Sequence, residues 1–230
     1  LARDAELRGA AHVFTPSAWL CELAIGWGVD ASRVSVLPNP SPPLPQLRQR
    51  EELRAELGMD GPTLAFAGRL TAQKSLEVAL DAVAAVDGVS LVIAGDGDER
   101  ARLETYAGPR VRFVGPLPRQ GVLELFRAAD ASILSSIWEN FPHTVVEALA
   151  VGTPVLATAT GGVAEVVTDG VNGLLVPSRD VDALAGAVRR YFDDDGLRSR
   201  LRANAADSVA QYAPERVFAT LEETLQRVAR

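Results

Sequence analysis

The chain has 230 residues, of which 47% are hydrophobic and 23% are charged, and its formal net charge is −7. This composition is ordinary for a globular protein, and the negative charge disfavours general electrostatic attraction to nucleic acid or to an anionic membrane. The single cysteine, Cys21, excludes an internal disulfide and favours a reducing compartment, so we expect a cytoplasmic protein. The two histidines, His12 and His143, are too few for a typical zinc site.

The first forty residues differ in pattern from the rest of the chain. The sequence starts with Leu1 inside a helical pattern, LARDAELRGA, which indicates a fragment of a longer protein. AHVFTPSAWLCELAIGWG predicts a strand and then a helix that starts at Thr15–Ser17, and VSVLPNP predicts a second short strand. The prolines at positions 38, 40, 42, 43 and 45 indicate a stiff linker outside any sheet. We therefore predict that residues 1–40 are the tail of a preceding domain with its hinge, and that residues 41–230 form a second domain.

Six short apolar runs predict the strands of this second domain. They are Thr63–Gly68, Ser90–Gly95, Val111–Gly115, Ala131–Ser136, Pro154–Thr160 and Gly173–Ser178. The runs do not alternate apolar and polar residues, which is typical of parallel strands buried on both faces. Helical patterns such as Ser75–Val86 separate them. The alternation predicts an α/β fold with a doubly wound, Rossmann-like parallel sheet of about six strands and helices on both faces, in which ligands bind beyond the carboxyl ends of the strands.

Two cations follow the first of these strands. Arg69 and Lys74 lie on a short loop before a helix, where an arginine fork and a lysine point charge suit a diphosphate. The alternative is that both are solvated loop charges, as most lysines and arginines are.

Glycine- and proline-containing loops follow three further strands. Gly95–Asp98 allows close backbone approach to a ligand, or is a turn in which Asp98 caps the next helix. Gly115–Pro118 is a stiff loop that could present backbone groups to a nucleobase. Thr160–Glu165 contains a Gly-Gly step, which is either bare backbone for a ligand or a strand-to-helix turn.

Two glutamates lie in the stretch WENFPHTVVEAL. Because Pro142 suits the first turn of a helix, we expect a helix from Phe141–Pro142 that carries Glu147, with Glu139 in the preceding loop. Both carboxylates can then face one pocket and accept hydrogen bonds from sugar hydroxyls. The alternative for Glu147 is a helix-face glutamate paired with a lysine or arginine.

The start of that helix offers a site for a phosphate. Free N–H groups, for example those of Thr144 and Val145, and the positive end of the helix dipole suit an anion. His143 lies beside them and is either a ligand contact or a surface or capping residue.

The order and spacing of these motifs resemble a known family. GRLTAQKSLEVALDAV, VIAGDGDE, VRFVGPL, ENFPHTVVEALAVGTPVLATATGGVAEVV and DGVNGLLV together resemble the carboxy-terminal half of retaining glycosyltransferases of the GT-B fold, group 1 type (family four). The two glutamates match the E-x7-E signature of that family. VFTPSAWL and VSVLPNP look like the last elements of its amino-terminal domain and the hinge, so the resemblance covers nearly the whole chain.

The resemblance implies roles for individual residues. Arg69 and Lys74 would bind and stabilise the leaving diphosphate of a UDP- or GDP-sugar, and Glu139 would contact hydroxyls of the donor sugar; these three form the expected catalytic set. The expected donor-binding residues are Glu147 for the ribose, the N–H groups around Thr144 and Val145 for phosphate, the Leu117 region for the base, and Asn140, Phe141, Gly95 and Gly97. The family transfers a hexosyl unit with retention of configuration. No cofactor or metal is expected, because the two cations neutralise the diphosphate.

The chain departs from the family in two respects. Ser75 stands where the family often has a glycine after the lysine. The amino-terminal domain, which in the family carries much of the acceptor site, is almost absent, so we expect this chain alone to be inactive. The acceptor, a sugar, a lipid or a small molecule, would bind through that domain. For a lipid acceptor, the resemblance also implies weak peripheral membrane association, which is common in relatives that glycosylate lipids.

Two other functions compete with this hypothesis. A non-catalytic nucleotide-binding or partner-binding module of the same fold would bind without turnover, although the intact glutamate and cation pairs argue against lost function. A Rossmann dehydrogenase needs G-x-G-x-x-G between an early strand and helix, and GRLTAQKS does not supply it.

Overall fold

The structure, a computed structural model, describes residues 9–229. This part of the chain begins with a small two-stranded unit. Strand β1 (Val13–Thr15) pairs in parallel with β2 (Val34–Val36), and helix α1 (Ala18–Gly26) connects them. These elements agree with the predicted strand–helix–strand pattern. The helical pattern predicted at the start of the chain lies mostly outside the described residues. The proposed assignment of residues 1–40 to a preceding domain stays a prediction.

The linker, residues 37–49, has neither helix nor strand but contacts the following domain at several points. The N–H of Ser41 donates to the carbonyl of Tyr212 (2.7 Å). Near its end, the Arg48 guanidinium pairs with the Glu124 carboxylate (2.8 Å) and holds the pKa of that carboxyl below its ordinary value. The proline-rich segment is therefore attached to the domain surface.

The six predicted strands are confirmed. They are β3 (Thr63–Ala67), β4 (Ser90–Ala94), β5 (Val111–Gly115), β6 (Ala131–Leu134), β7 (Val155–Thr158) and β8 (Gly173–Val176). All pairs in this sheet are parallel, in the order β5-β4-β3-β6-β7-β8. The inner strands β3, β6 and β7 are buried along their whole length, as expected for non-alternating apolar runs, whereas the edge strand β5 is partly exposed.

Helices cover both faces of this sheet. They are α2 (Arg50–Glu56), α3 (Leu76–Ala84), α4 (Arg100–Tyr106), α5 (Arg119–Ala128), α6 (His143–Ala150), α7 (Val163–Val166), α8 (Val181–Asp193), α9 (Asp195–Ala205) and α10 (Pro214–Val228). Helix α3 packs against α8 on one face, and α2, α5 and α6 pack on the other. Among the described residues, no helix is both long enough and apolar enough to span a membrane.

The strand order places a ligand site by topology alone. From β3 the chain proceeds outward through β4 to β5 and then returns to lay β6 on the other side of β3. The switch point of the strand order therefore lies between β3 and β6, and open α/β sheets bind ligands in a crevice beyond the carboxyl ends of the strands near such a point. Arg69 and Lys74 follow β3, and Glu139 follows β6, so the predicted catalytic residues flank this crevice.

Candidate functional site

The loops after β3 and β6 are fastened to one another at the crevice. The N–H of Ile137 donates to the carbonyl of Gln73 (2.9 Å), and the side-chain amide of Gln73 donates to the carbonyl of Trp138 (2.9 Å). The hydroxyl of Ser135 donates to the carbonyl of Lys74 (2.9 Å). The two loops therefore form one unit with fixed relative positions.

An ion pair between Lys74 and Glu139 lies on this unit. Nζ of Lys74 is 2.5 Å from Oε1 of Glu139, and the hydroxyl of Ser136 donates to the same oxygen (2.7 Å). The side chains of the lysine and the glutamate are only 15% and 9% exposed. At this low exposure, either charge without the other would lower the stability of the folded state, so the pair holds both groups in place. We predicted these residues for different parts of a ligand, and the structure brings them into direct contact.

The backbone of Glu139 is held by the loop after β7. The N–H of Gly162 donates to the carbonyl of Glu139 (2.9 Å). Gly161 has φ of +52°, and a Cβ there would lie 2.0 Å from the same carbonyl oxygen. The Gly-Gly step therefore permits the loops after β6 and β7 to pack closely. Contact of its backbone with a ligand stays a prediction.

The backbone at Ser75 explains why a glycine suits the position after Lys74. Ser75 has φ of +46° and ψ of +46°, in the left-handed region that a residue with a Cβ enters at a cost of about 1–2 kcal/mol. The 3₁₀ turn Ala72–Lys74 ends there and α3 starts at once. Serine at this position therefore strains the backbone locally, whereas a glycine would not.

A cleft of about 560 Å³ opens beside the ion pair, at the carboxyl ends of β3, β4 and β5. Five residues of the predicted site border it: Arg69, Gly95, Leu117, Thr144 and Glu147. Arg69 is exposed, and within residues 9–229 it has no ion-pair partner. Lys74 reaches the same region, because its Cε lies 3.8 Å from the position that a Cβ on Gly68, another wall residue, would occupy. A cation, a carboxylate and a helix start thus surround one cleft.

Glu147 is paired at the wall of the cleft with Arg119, a residue that the sequence analysis missed. Nε of Arg119 donates to Oε1 of Glu147 (2.9 Å), which is the alternative that we left open for this glutamate. The pair borders the cleft, so the glutamate is both paired and available to a ligand. Arg119 is the first residue of a helix just after the Gly115–Pro118 loop. Like Arg69, Arg119 follows the carboxyl end of a strand, and this position could have identified it as a candidate site residue.

The start of α6 differs from the prediction in detail. Pro142 occupies the N-cap position, and its carbonyl accepts the N–H of Val145 (3.0 Å). The prediction that Val145 offers a free N–H was therefore wrong, because the first turn of α6 is tight and the Pro142 carbonyl accepts the N–H groups of both Val145 and Val146 (3.2 Å). Within the described part of the chain, the N–H of Thr144 has no acceptor, and it alone of the predicted pair can meet a phosphate.

Neighbouring residues of this helix start face the protein or the linker. Phe141 is 8% exposed, and its ring packs edge-on against His143 and Tyr212, so its side chain is part of the core. Asn140 is exposed in the loop before it. The ring Nε2 of His143 lies 3.0 Å from the side-chain nitrogen of Asn39, a linker residue.

The glycines of the Gly95–Asp98 loop pack against backbone. A Cβ on Gly95 would lie 1.9 Å from the carbonyl oxygen of Gly68, and one on Gly97 would lie 2.3 Å from that of Leu70. The alternative in which Asp98 caps a helix was wrong, because Glu99 holds the N-cap position of α4 and makes no side-chain cap there. The absent side chains at Gly95 and Gly97 are thus needed for loop packing, and of the two only Gly95 borders the cleft.

A second cavity, of about 390 Å³, lies at the opposite edge of the sheet. It is bordered by the loop before β3, including Gly58 and Asp60, and by Arg110 and Arg112. Both arginines already donate to backbone carbonyls, Arg110 to that of Val86 (2.8 Å) and Arg112 to that of Leu57. This edge carries the amino ends of the strands, where doubly wound sheets do not bind ligands.

Comparison with known families agrees with the geometry of the first cleft. The sequence profile of the family described as "Glycosyl transferases group 1" matches residues 49–208. This span contains the Lys74–Glu139 and Arg119–Glu147 ion pairs. The chain belongs to the group 1 glycosyltransferases. The family suggested by the motifs is thereby confirmed.

The curated relatives are longer than this chain. A D-inositol 3-phosphate glycosyltransferase from Mycobacterium marinum is 36% identical over 190 residues, which are 76% of this chain and 39% of the relative. The enzyme of the same name from Xylanimonas cellulosilytica is 36% identical over 198 residues, 78% of this chain and 48% of the relative. This group 1 chain thus spans less than half the length of these two relatives.

Solved structures share the fold. Anabaena HepE in complex with UDP-glucose superposes with a TM-score of 0.85 at 25% identity, covering 96% of this chain and 65% of HepE. Sucrose-phosphate synthase from Thermosynechococcus elongatus superposes with a TM-score of 0.88 at 28% identity, covering 98% and 60%. The predicted fold, the carboxy-terminal half of a GT-B glycosyltransferase, is confirmed.

Proposed function

We propose that this chain is the donor-binding half of an enzyme that transfers a hexosyl unit from a nucleoside diphosphate sugar to a hydroxyl acceptor. The observation that carries the proposal is the cleft at the carboxyl ends of β3, β4 and β5, which is bordered by Arg69, Thr144 and Glu147 and adjoins the Lys74–Glu139 pair. Such a set offers positive charge for a diphosphate and carboxylate acceptors for sugar hydroxyls. Among donors we favour UDP-sugars over GDP-sugars, since the structural relative HepE is described with UDP-glucose.

The proposed roles follow from position. Arg69 and Lys74 neutralise the diphosphate as it leaves, which is electrostatic stabilisation of developing charge and needs no metal. An ammonium has three donors, so Lys74 can keep Glu139 and also bind a phosphate oxygen. Glu139 then accepts hydrogen bonds from the donor sugar, Glu147 from the ribose, and Leu117 lies where the base would stack.

The acceptor would be held mainly by regions outside this chain. A sugar, a lipid or a small molecule can supply the attacking hydroxyl. We further propose transfer with retention of configuration, as in the family that the motifs resemble. The anomeric proton coupling of the product reports this directly, and an inverted product would remove that part of the proposal.

A thermal-shift screen tests the donor. The complete gene product is heated with UDP-, GDP- and ADP-sugars and with the free nucleoside diphosphates. One nucleotide class is expected to raise Tm, because a ligand that binds only the folded state stabilises it by mass action. Arg69→Ala and Lys74→Ala are expected to abolish the shift, whereas Arg200→Ala, on α9, should leave it unchanged. If no nucleotide changes Tm in the wild-type protein, the proposed function is wrong.

A further inference from the structure

The guanidinium group of Arg119 is engaged at each of its three nitrogens. Nε donates to Oε1 of Glu147 (2.9 Å), Nη1 to the carbonyl of Pro43 (3.2 Å) and Nη2 to the carbonyl of Pro42 (2.9 Å). The side chain is 36% exposed, and the bond to Glu147 is the most buried of these contacts. With every nitrogen occupied, Arg119 is a connector between the linker and the cleft, unlike the exposed Arg69.

This arrangement needs the arginine fork. A planar guanidinium can donate in three fixed directions at once, and a lysine ammonium on a flexible stem cannot reproduce them. The carbonyls of Pro42 and Pro43 lie in a segment without helix or strand, where backbone acceptors have no regular partners. Arg119 supplies those partners and is thereby held in one position.

Only one oxygen of Glu147 is used by this contact. Oε1 accepts from Arg119, while Oε2 has no partner within residues 9–229, and the residue borders the cleft. A carboxylate held at one oxygen presents the other in a defined direction. We propose that Arg119 is a positioning residue that orients Glu147 toward the ribose hydroxyls of the donor and ties this orientation to the linker. This inference rests on the proposed nucleotide-binding function of the cleft.

A second contact supports the connection to the linker. The side-chain nitrogen of Asn39 lies 3.0 Å from Nε2 of His143. His143 and Glu147 are four residues apart in α6 and so lie on the same face of that helix. The linker therefore touches the helix face that carries the ribose carboxylate at two places, directly through Asn39 and through Arg119. Movement of the linker would change the orientation of Glu147.

Discrimination between ribose and deoxyribose is the property that tests this role. Calorimetry on the complete gene product would compare the Kd of UDP with that of 2′-deoxy-UDP, and the Kd of GDP with that of 2′-deoxy-GDP. The wild-type protein should bind the preferred ribonucleotide about tenfold or more tightly than its deoxy form, since a hydrogen bond to a charged group is lost. Arg119→Lys should reduce this ratio to about twofold or less, because the ammonium does not hold Glu147 in the same way.

Arg198→Lys is a matched control. The guanidinium of Arg198 also donates to two neighbouring carbonyls, those of Tyr191 (3.2 Å) and Phe192 (2.7 Å), and pairs with the carboxylate of Asp195, but it lies on α9 away from the cleft. Arg198→Lys should keep the wild-type ratio. Should Arg119→Lys fail to give a cooperative melting transition, Arg119→Gln is measured in its place, with the same expected loss of discrimination.

The outcomes separate the two proposals. If the wild-type protein discriminates and the Arg119 variant discriminates equally well, the positioning role is overturned and the donor site stands. A variant that only melts at a lower temperature with an unchanged ratio also overturns it, because a purely structural role gives that result. If the wild-type protein binds neither UDP nor GDP, the proposed function fails and this inference with it.

Discussion

Replacing Lys74 with alanine is expected to lower kcat for donor hydrolysis by about 10²- to 10³-fold, the usual effect of removing one charge-stabilising group from a transition state. Donor hydrolysis needs no acceptor, and the assay would use the complete gene product with the nucleotide sugar that raises its Tm most. Lys74 is the only lysine in the sequence, while every other permanently cationic side chain is an arginine. A compact ammonium at this one position fits the short contact with Glu139. We therefore expect Lys74→Arg to be about as inactive as Lys74→Ala.

Lys74→Ala also leaves the Glu139 carboxylate without its cation. The resulting loss of folding stability could by itself lower the activity. Breaking a buried ion pair costs about 3–5 kcal/mol, whereas neutralising both partners costs much less. The double variant Lys74→Ala, Glu139→Gln should therefore regain most of the Tm lost in Lys74→Ala while staying inactive. An Ala variant with kcat within about threefold of wild type would contradict the role of Lys74, as would activity that returns together with stability in the double variant.

Gly161→Ala is expected to lower kcat about 100-fold while the chain still folds. A Cβ at this position would lie 2.0 Å from the carbonyl oxygen of Glu139, so the loop that carries the glutamate must move. A displacement of about 1 Å at a catalytic group can cost about 100-fold in rate. Steady-state kinetics and the melting temperature would be measured on the same samples.

Gly170→Ala is the matched control for this substitution. Gly161 and Gly170 both have positive φ, +52° and +71°, so alanine strains the backbone at either position. Only Gly161 has a neighbour within 4 Å of the added methyl group. Gly170→Ala should therefore lower Tm modestly and leave kcat near wild type. Equal losses of kcat in both variants would show that strain, and not the position of Glu139, is responsible.

The sheet could be predicted because its strands are buried on both faces. Runs such as Ala131–Ser136 contain no alternation and end in glycine, serine or threonine, which identifies both a parallel strand and its carboxyl end. Strand order could not be predicted from these runs, since the return of β6 to the side of β3 depends on packing between distant segments. The side of the sheet that carries the site was nevertheless predictable, because every candidate motif followed a strand end.

The pairings inside the site could not be predicted. Lys74 and Glu139 are 65 positions apart, and Arg119 and Glu147 are 28 apart, so no local pattern links either pair. Spacing predicted that each residue lies near a ligand but could not show that the opposite charges pair with one another. The error at Val145 had a local cause, since Pro142 took the N-cap position and its carbonyl accepted that N–H. A single tight first turn, with an i→i−3 bond, is enough to change which N–H groups are free.

A structure of the complete gene product with its preferred nucleoside diphosphate tests the central claim most directly. Our account predicts the diphosphate between Arg69, Lys74 and the Thr144 N–H, with a ribose hydroxyl on Oε2 of Glu147, inside the cleft at the carboxyl ends of β3 to β5. A nucleotide bound at the opposite edge of the sheet, in the cavity beside Arg112, would contradict it.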